Sequence, residues 1–247
     1  MIMDTFNPIQ KRFVVFLDIM GFKDRVARNT AEKLYLELTE FNRDITNILN
    51  SSKKIDTQKL PQQGSESGSA LISSNEDGSK IKLAKFSDSI VLFSIDNSRE
   101  SLLEISNVAR QIMVSAINRE RPIPLKGALA EGDITCDMSK QLFFGQALID
   151  AYLLEENVQY YGIVVHHTAE KSVKDLDERL YIDTLVPLKS GKIQHYELAW
   201  YNEDHDIVRA GLERIRLSVS DSPRKYVDNT NMVIKTYYKN IDLAPQT

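Results

Sequence analysis

Cysteine occurs once in 247 residues, at Cys136, which excludes an internal disulfide and a multi-cysteine zinc centre and suits a reducing compartment. There is no basic excess. Lys and Arg number 31 against 35 Asp and Glu, a formal net charge of −4, so the chain is not built to coat nucleic acid or anionic lipid. A local basic pocket for a phosphorylated small molecule stays compatible with that balance. Long hydrophobic runs are missing too. The longest, Phe13 to Leu17, falls far short of the roughly 20 residues that cross a bilayer. The opening stretch MIMDTFNPIQKRF carries an acid and no extended apolar segment, so no signal peptide is expected. Neither GxxxxGK[ST] nor GxGxxG is present, which removes support for a P-loop or a dinucleotide fold. The expectation is a soluble cytoplasmic protein without direct membrane insertion and without nucleic-acid binding, with residues 1–247 forming a single domain.

The residues that are there alternate between strand and helix signals. Phe13-Val14-Val15-Phe16-Leu17 is continuously apolar and predicts a strand covered on both faces, ending at Asp18-Ile19-Met20-Gly21-Phe22. Apolar steps of three and four predict a helix from about Lys23 to Leu49. Residues 51–80, rich in Ser, Gln, Gly and acids, predict a long flexible excursion inside the domain. Ile81 to Ile95 reads as a hairpin with Asp88 at its tip, and Ser98 to Asn118 as a helix. Strands follow at Leu125–Asp133, Gln141–Phe144 and Gly162–His166, with an amphipathic helix from Gly145 to about Glu156. A strand over Ile193–Trp200 and a helical extension over about 206–241, its final helix opening at Ser222-Pro223, complete the pattern. The order implies an α+β sandwich, one layer of helices on a mostly antiparallel sheet.

Two carboxylates stand out. Asp18 ends one apolar strand and Asp88 tips the hairpin of another, and two such acids side by side make a hard oxygen site for Mg²⁺ or Mn²⁺. Beside them, the backbone amides of Met20, Gly21 and Phe22 are able to face phosphate oxygens, with Gly21 allowing close approach. The competing reading makes Asp18 a helix cap and Asp88 an ordinary turn residue. The four histidines, His166, His167, His195 and His205, show no helical metal-ligand spacing. His166 and His167, adjacent on a strand, are expected on opposite faces, one packed and one solvated. Asn202 to Asp206 reads as a solvated turn capping the next helix.

A resemblance narrows the choice. Phe16-Leu17-Asp18-Ile19-Met20-Gly21-Phe22 resembles FxDIxGF, the first metal-binding segment of class III nucleotide cyclases. Lys85-Phe86-Ser87-Asp88-Ser89 resembles the hairpin that carries their second metal Asp, and Leu125 to Gly132 their phosphate-contacting strand, with Lys126 as the basic residue. Phe144 to Glu155 resembles the dimer-interface helix, GxxVNxAxRLE in many members. The four blocks keep the family's order and spacing over roughly residues 12–200. The resemblance implies a ferredoxin-like class III cyclase sandwich and two divalent cations held by Asp18, Asp88 and the Ile19 carbonyl. It also implies a nucleoside triphosphate substrate, with Lys126 and Lys189 on its phosphates, and a head-to-tail homodimer whose two walls come from different chains.

Departures from the family pattern bear on the substrate. Ala84 falls where the family has a purine-specifying Lys, and Leu142 where its Asp or Thr partner lies; these two mark the expected base pocket. The transition-state Asn and Arg fall on Ile149 and Leu153, flanked by Asp150 and Tyr152. The variant helix, together with FSDSIV, resembles the bacterial branch of Pycsar-type pyrimidine cyclases, antiphage enzymes that make cyclic UMP or cyclic CMP. Three readings remain open: a pyrimidine cyclase with UTP preferred to CTP, a purine cyclase with divergent base contacts, and a catalytically silent cyclase-like sensor.

Overall fold

The computed structural model describes residues 7–56, 81–177, 179–202 and 204–242. Strand β1 (Ile9–Ile19) leads into helices α1 (Phe22–Arg28) and α2 (Ala31–Asp56), then the hairpin β2 (Ile81–Phe86) and β3 (Ser89–Ser94). Helix α3 (Arg99–Ile117) is followed by β4 (Leu125–Asp137), β5 (Leu142–Phe144), α4 (Gln146–Asn157), β6 (Ile163–Val165) and α5 (His167–Lys174). The hairpin β7 (Tyr181–Leu188) and β8 (Gly191–Leu198) and the helices α6 (His205–Ser218) and α7 (Ser222–Asp242) end the chain's order. The strands form one sheet in the order β2-β3-β1-β4-β6-β8-β7, with β5 paired to β4. Every pairing is antiparallel except β4 with β6. This is the α+β architecture with a mostly antiparallel sheet that the sequence pattern implies.

Strand periodicity decides the layers. Odd residues of β1, Phe13, Val15 and Leu17, enter the large core beneath Phe41 and Ile45 of α2 and Leu102, Ile105 and Ile112 of α3. Even residues Val14 and Phe16 point the other way, into a smaller cluster with Val91, Phe93, Ala130, Ala147 and Ala151. Helix α4 therefore lies on the opposite face, so the expected single helical layer is corrected to helices on both faces. β1 is continuously apolar from Phe13 to Leu17 because both faces of that stretch are covered.

Three further expectations are revised. The helix predicted from Lys23 to Leu49 is broken after Arg28. Asn29 is extended and its Nδ2 donates to Arg25 O at 2.7 Å, while Thr30 Oγ1 accepts from Lys33 N at 3.3 Å, so two side chains compete with the helical ladder and start a new helix. Of the excursion expected over 51–80, residues 51–56 continue α2 and 57–80 lie outside the described residues. The strand ends at Val165, so His166 caps α5 and His167 opens it. Their rings then sit 4.1 Å apart instead of on opposite faces.

Candidate active site

Asp18 is the last polar residue of β1 before the chain turns, flanked in register by Ser89 on β3 and Lys126 on β4. It does not cap α1, whose N-cap is Gly21 with no side-chain cap bond. Asp88 occupies the β2–β3 turn, where Ser87 takes a left-handed φ of 56°. The Ile19 amide donates to the backbone oxygen of Asp88 at 3.0 Å, which ties the hairpin tip to the end of β1. Two acids more than sixty positions apart are thereby held at one sheet end.

The amide of Met20 donates to Pro124 O at 2.9 Å, so it does not face outward as expected. Among the described residues only Gly21 and Phe22 of that trio have amides with no backbone acceptor. Gly21 adopts φ 71°, a conformation that a side chain disfavours.

Lys126, 8% exposed, is not free in solvent. Its Nζ lies 2.9 Å from Glu155 Oε1 and donates to Glu155 O at 3.0 Å. Glu155 closes α4, so the helix lays an acid and its own backbone over the start of β4. Burial, Glu155 and Asp88, in that order, push the Asp18 carboxyl up to about 7, while Lys126 pulls it down. Burial also raises Glu155 against the pull of Lys126 and, more weakly, of Lys189. Lys189 itself is exposed in the β7–β8 turn, its amide bonded to Asn157 O at 2.8 Å. Asp18 thus feels Glu155, Asp88 and Lys126, and Glu155 in turn feels Lys126 and Lys189. Glu155 is the member that the sequence pattern leaves without a role, because its pairing with Lys126 joins residues 29 positions apart.

Of the two positions expected to line a base pocket, Ala84 borders the second cluster. Ala84 and Phe143 both pack against it, Phe143 stacking on Phe93 at 5.5 Å and 11°, and Leu142 stands half exposed beside them. Lys85 does not replace the missing cation at position 84, because its Nζ turns to the other face and donates to Asn42 Oδ1 at 2.7 Å. On α4, Ile149 and Leu153 are 49% and 51% exposed, with Tyr152 between them packed edge-on to Phe16 at 5.5 Å. Among the described residues no three His, Cys, Asp or Glu side chains are arranged to hold a metal ion. Among the same residues no helix is long and apolar enough to cross a membrane.

No protein-family model matches the chain, and no curated protein matches it. Solved structures do. The catalytic core of a rhodopsin-guanylyl cyclase with converted specificity, in complex with ATPαS, is 13% identical, covers 76% of this chain and 95% of its own, and superposes with a TM-score of 0.53. The guanylate cyclase domain of RhGC from Catenaria anguillulae, in complex with GTP, is 13% identical over 76% of this chain and 96% of its own, with a TM-score of 0.50. The fold is that of class III cyclase catalytic domains.

Proposed function

We propose that the chain is a class III nucleotide cyclase that converts a pyrimidine nucleoside triphosphate, UTP in preference to CTP, into the 3′,5′-cyclic monophosphate and pyrophosphate. The observation that carries this reading is the pair Asp18 and Asp88, fastened together at one end of a cyclase-type sheet.

The donor set fits divalent cations. Two carboxylates and a strand-end carbonyl are hard ligands, and Asp18, raised to about 7 by burial and neighbouring acids, carries a negative charge that a cation relieves. Two Mn²⁺ or Mg²⁺ ions held by Asp18, Asp88 and the Ile19 carbonyl would supply acidity to the ribose 3′-hydroxyl and neutralise phosphate charge. Attack of the 3′ oxygen on the α-phosphorus forms the ring P–O bond and breaks the bond to the β-phosphate, which leaves as pyrophosphate. Lys189 and Lys126 hold the triphosphate. Because Glu155 balances Lys126, exposed Lys189 carries more of that task. The amides of Gly21 and Phe22 face the phosphates.

Ala84 and Leu142 offer no polar group to a purine edge, which supports a pyrimidine substrate of the Pycsar type. On the same resemblance the enzyme is a cytoplasmic second-messenger synthase in bacterial antiphage defence. The half-exposed apolar side chains Ile149, Leu153, Leu142 and Phe144 support a head-to-tail homodimer that completes each site from two chains.

One observation favours a second reading, a silent nucleotide sensor: Ile149 and Leu153 present no hydrogen bond to a reacting phosphate. Incubation with each of the four triphosphates and Mn²⁺, with product analysis, separates the readings. Cyclic UMP is expected. A cyclic purine product overturns the base assignment, and no product from any triphosphate leaves the sensor.

A further inference from the structure

We propose that Asn229 and Thr230 of α7 are positioning residues for the cationic side of the site, an inference that rests on the cyclase reading. The segment Asn157–Tyr161, between α4 and β6, is where that side is suspended. Asn157 O accepts from the Lys189 amide at 2.8 Å, and the segment directly continues the last turn of α4, whose Glu155 holds Lys126. Just past its other end, Gly162 O accepts from the amide of Gly127, the neighbour of Lys126, at 2.8 Å. Both lysines are therefore tied to this one stretch in addition to the strands that carry or flank them.

The end of β7 holds one side of the stretch, Leu188 bridging Val158 and Pro187 O accepting from the Gln159 amide at 3.0 Å, and side chains of α7 hold the other. Asn229 Nδ2 donates to Gln159 O at 2.7 Å, and the Tyr161 amide donates to Thr230 Oγ1 at 2.9 Å. The Thr230 hydroxyl in turn donates to Tyr226 O at 2.7 Å. Tyr226 stacks on Tyr161 at 5.9 Å and 18°, and its hydroxyl accepts from Gln159 Nε2 at 3.1 Å. Gln159, Tyr161 and Thr230 are all buried. Water therefore does not replace a bond lost here, and the backbone relaxes instead.

Thr230→Val keeps shape and helix while removing the acceptor for Tyr161. Asn229→Ala removes the donor to Gln159. Each variant is tested against the wild-type chain, with Mn²⁺, by the affinity of the 3′-deoxy analogue of whichever triphosphate the wild-type chain binds tightest. The matching 3′-deoxy monophosphate is measured alongside. The expected result is about tenfold weaker triphosphate binding, the scale of one hydrogen bond, with monophosphate binding unchanged and Thr230→Ser restoring the wild-type ratio. The same variants raise KM more than they lower kcat. An unchanged ratio of triphosphate to monophosphate affinity in both folded variants overturns the proposal, even if both melt earlier, because a mere support would behave that way. Failure of both variants to fold overturns it as well, since the clamp is then part of the fold itself. A wild-type chain that binds triphosphate no better than monophosphate overturns the cyclase reading, and this inference with it.

Discussion

Lys126 and Glu155 form a buried ion pair that joins the first residues of β4 to the last turn of α4, with Nζ 2.9 Å from Oε1. Removing one partner strands the other away from water. Lys126→Met is expected to cost about 3–5 kcal/mol, read from the urea midpoint. The double variant Lys126→Met, Glu155→Leu is expected to recover most of that loss, because an apolar pair suits a dry site. Equal destabilisation in the single and double variants would show that the charges themselves hold the two elements together.

Asp18→Asn tests the acid pair. Activity is expected to fall on the order of a thousandfold with Mn²⁺ present. In metal-free buffer at pH 8 the melting temperature is expected to rise by about 2–4 °C, because the substitution removes a carboxylate whose charge the fold disfavours. Wild-type turnover would take Asp18 out of the chemistry.

Glu197 gives stability a pH dependence of its own. It is fully buried between the hydroxyls of Tyr160, at 2.8 Å, and Tyr201, at 2.5 Å, and burial pushes its carboxyl up to about 7. The folded value lies above the unfolded one of about 4.3. The contribution is therefore fully present below about pH 4.3 and fades as pH rises through 7. Glu197→Gln is expected to flatten that decline between pH 5 and 8 in thermal melts, with little change at the acid end. A decline that survives the substitution would assign it to other groups.

Ile149→Glu with Leu153→Glu tests assembly. Both side chains are half exposed, so the monomer fold is expected to be unaffected. Sedimentation is expected to show a dimer in the wild type and a monomer in the variant, with activity lost in parallel. Full activity in a monomeric variant would mean that one chain holds a whole site.

What was legible in the sequence was local. Asp18 ends the apolar run of β1 and Asp88 sits in the turn before the apolar strand β3, and such runs reveal their own ends. The stripe from Leu102 to Ala116 likewise announced α3, and the Ser98 cap its start. Elements with diluted signals were missed. Helix α5 is short and polar, and β7 carries Asp183, Thr184 and Pro187 in a sheet-edge strand where the usual alternation is weak. The break at Asn29 rests on side-chain caps that periodicity does not register. Pairings across the chain were invisible: nothing near Lys126 announces Glu155, and nothing near Met20 announces that Pro124 takes its amide.

The strand that bears Asp18 is the first of the described strands and lies inside the sheet, and that order governs how the protein is made. β1 leaves the ribosome as an apolar ribbon whose partners do not yet exist, since β3 begins at Ser89 and β4 at Leu125. Until then both its edges lack their partners, and of its two faces only the one beneath α2 has any of its native cover. Such distant pairings slow folding and leave a hydrophobic strand open to other nascent chains. Production yield is therefore expected to depend on synthesis rate and chaperone supply: slow, cool expression should favour soluble protein, and chains truncated before Leu125 should aggregate.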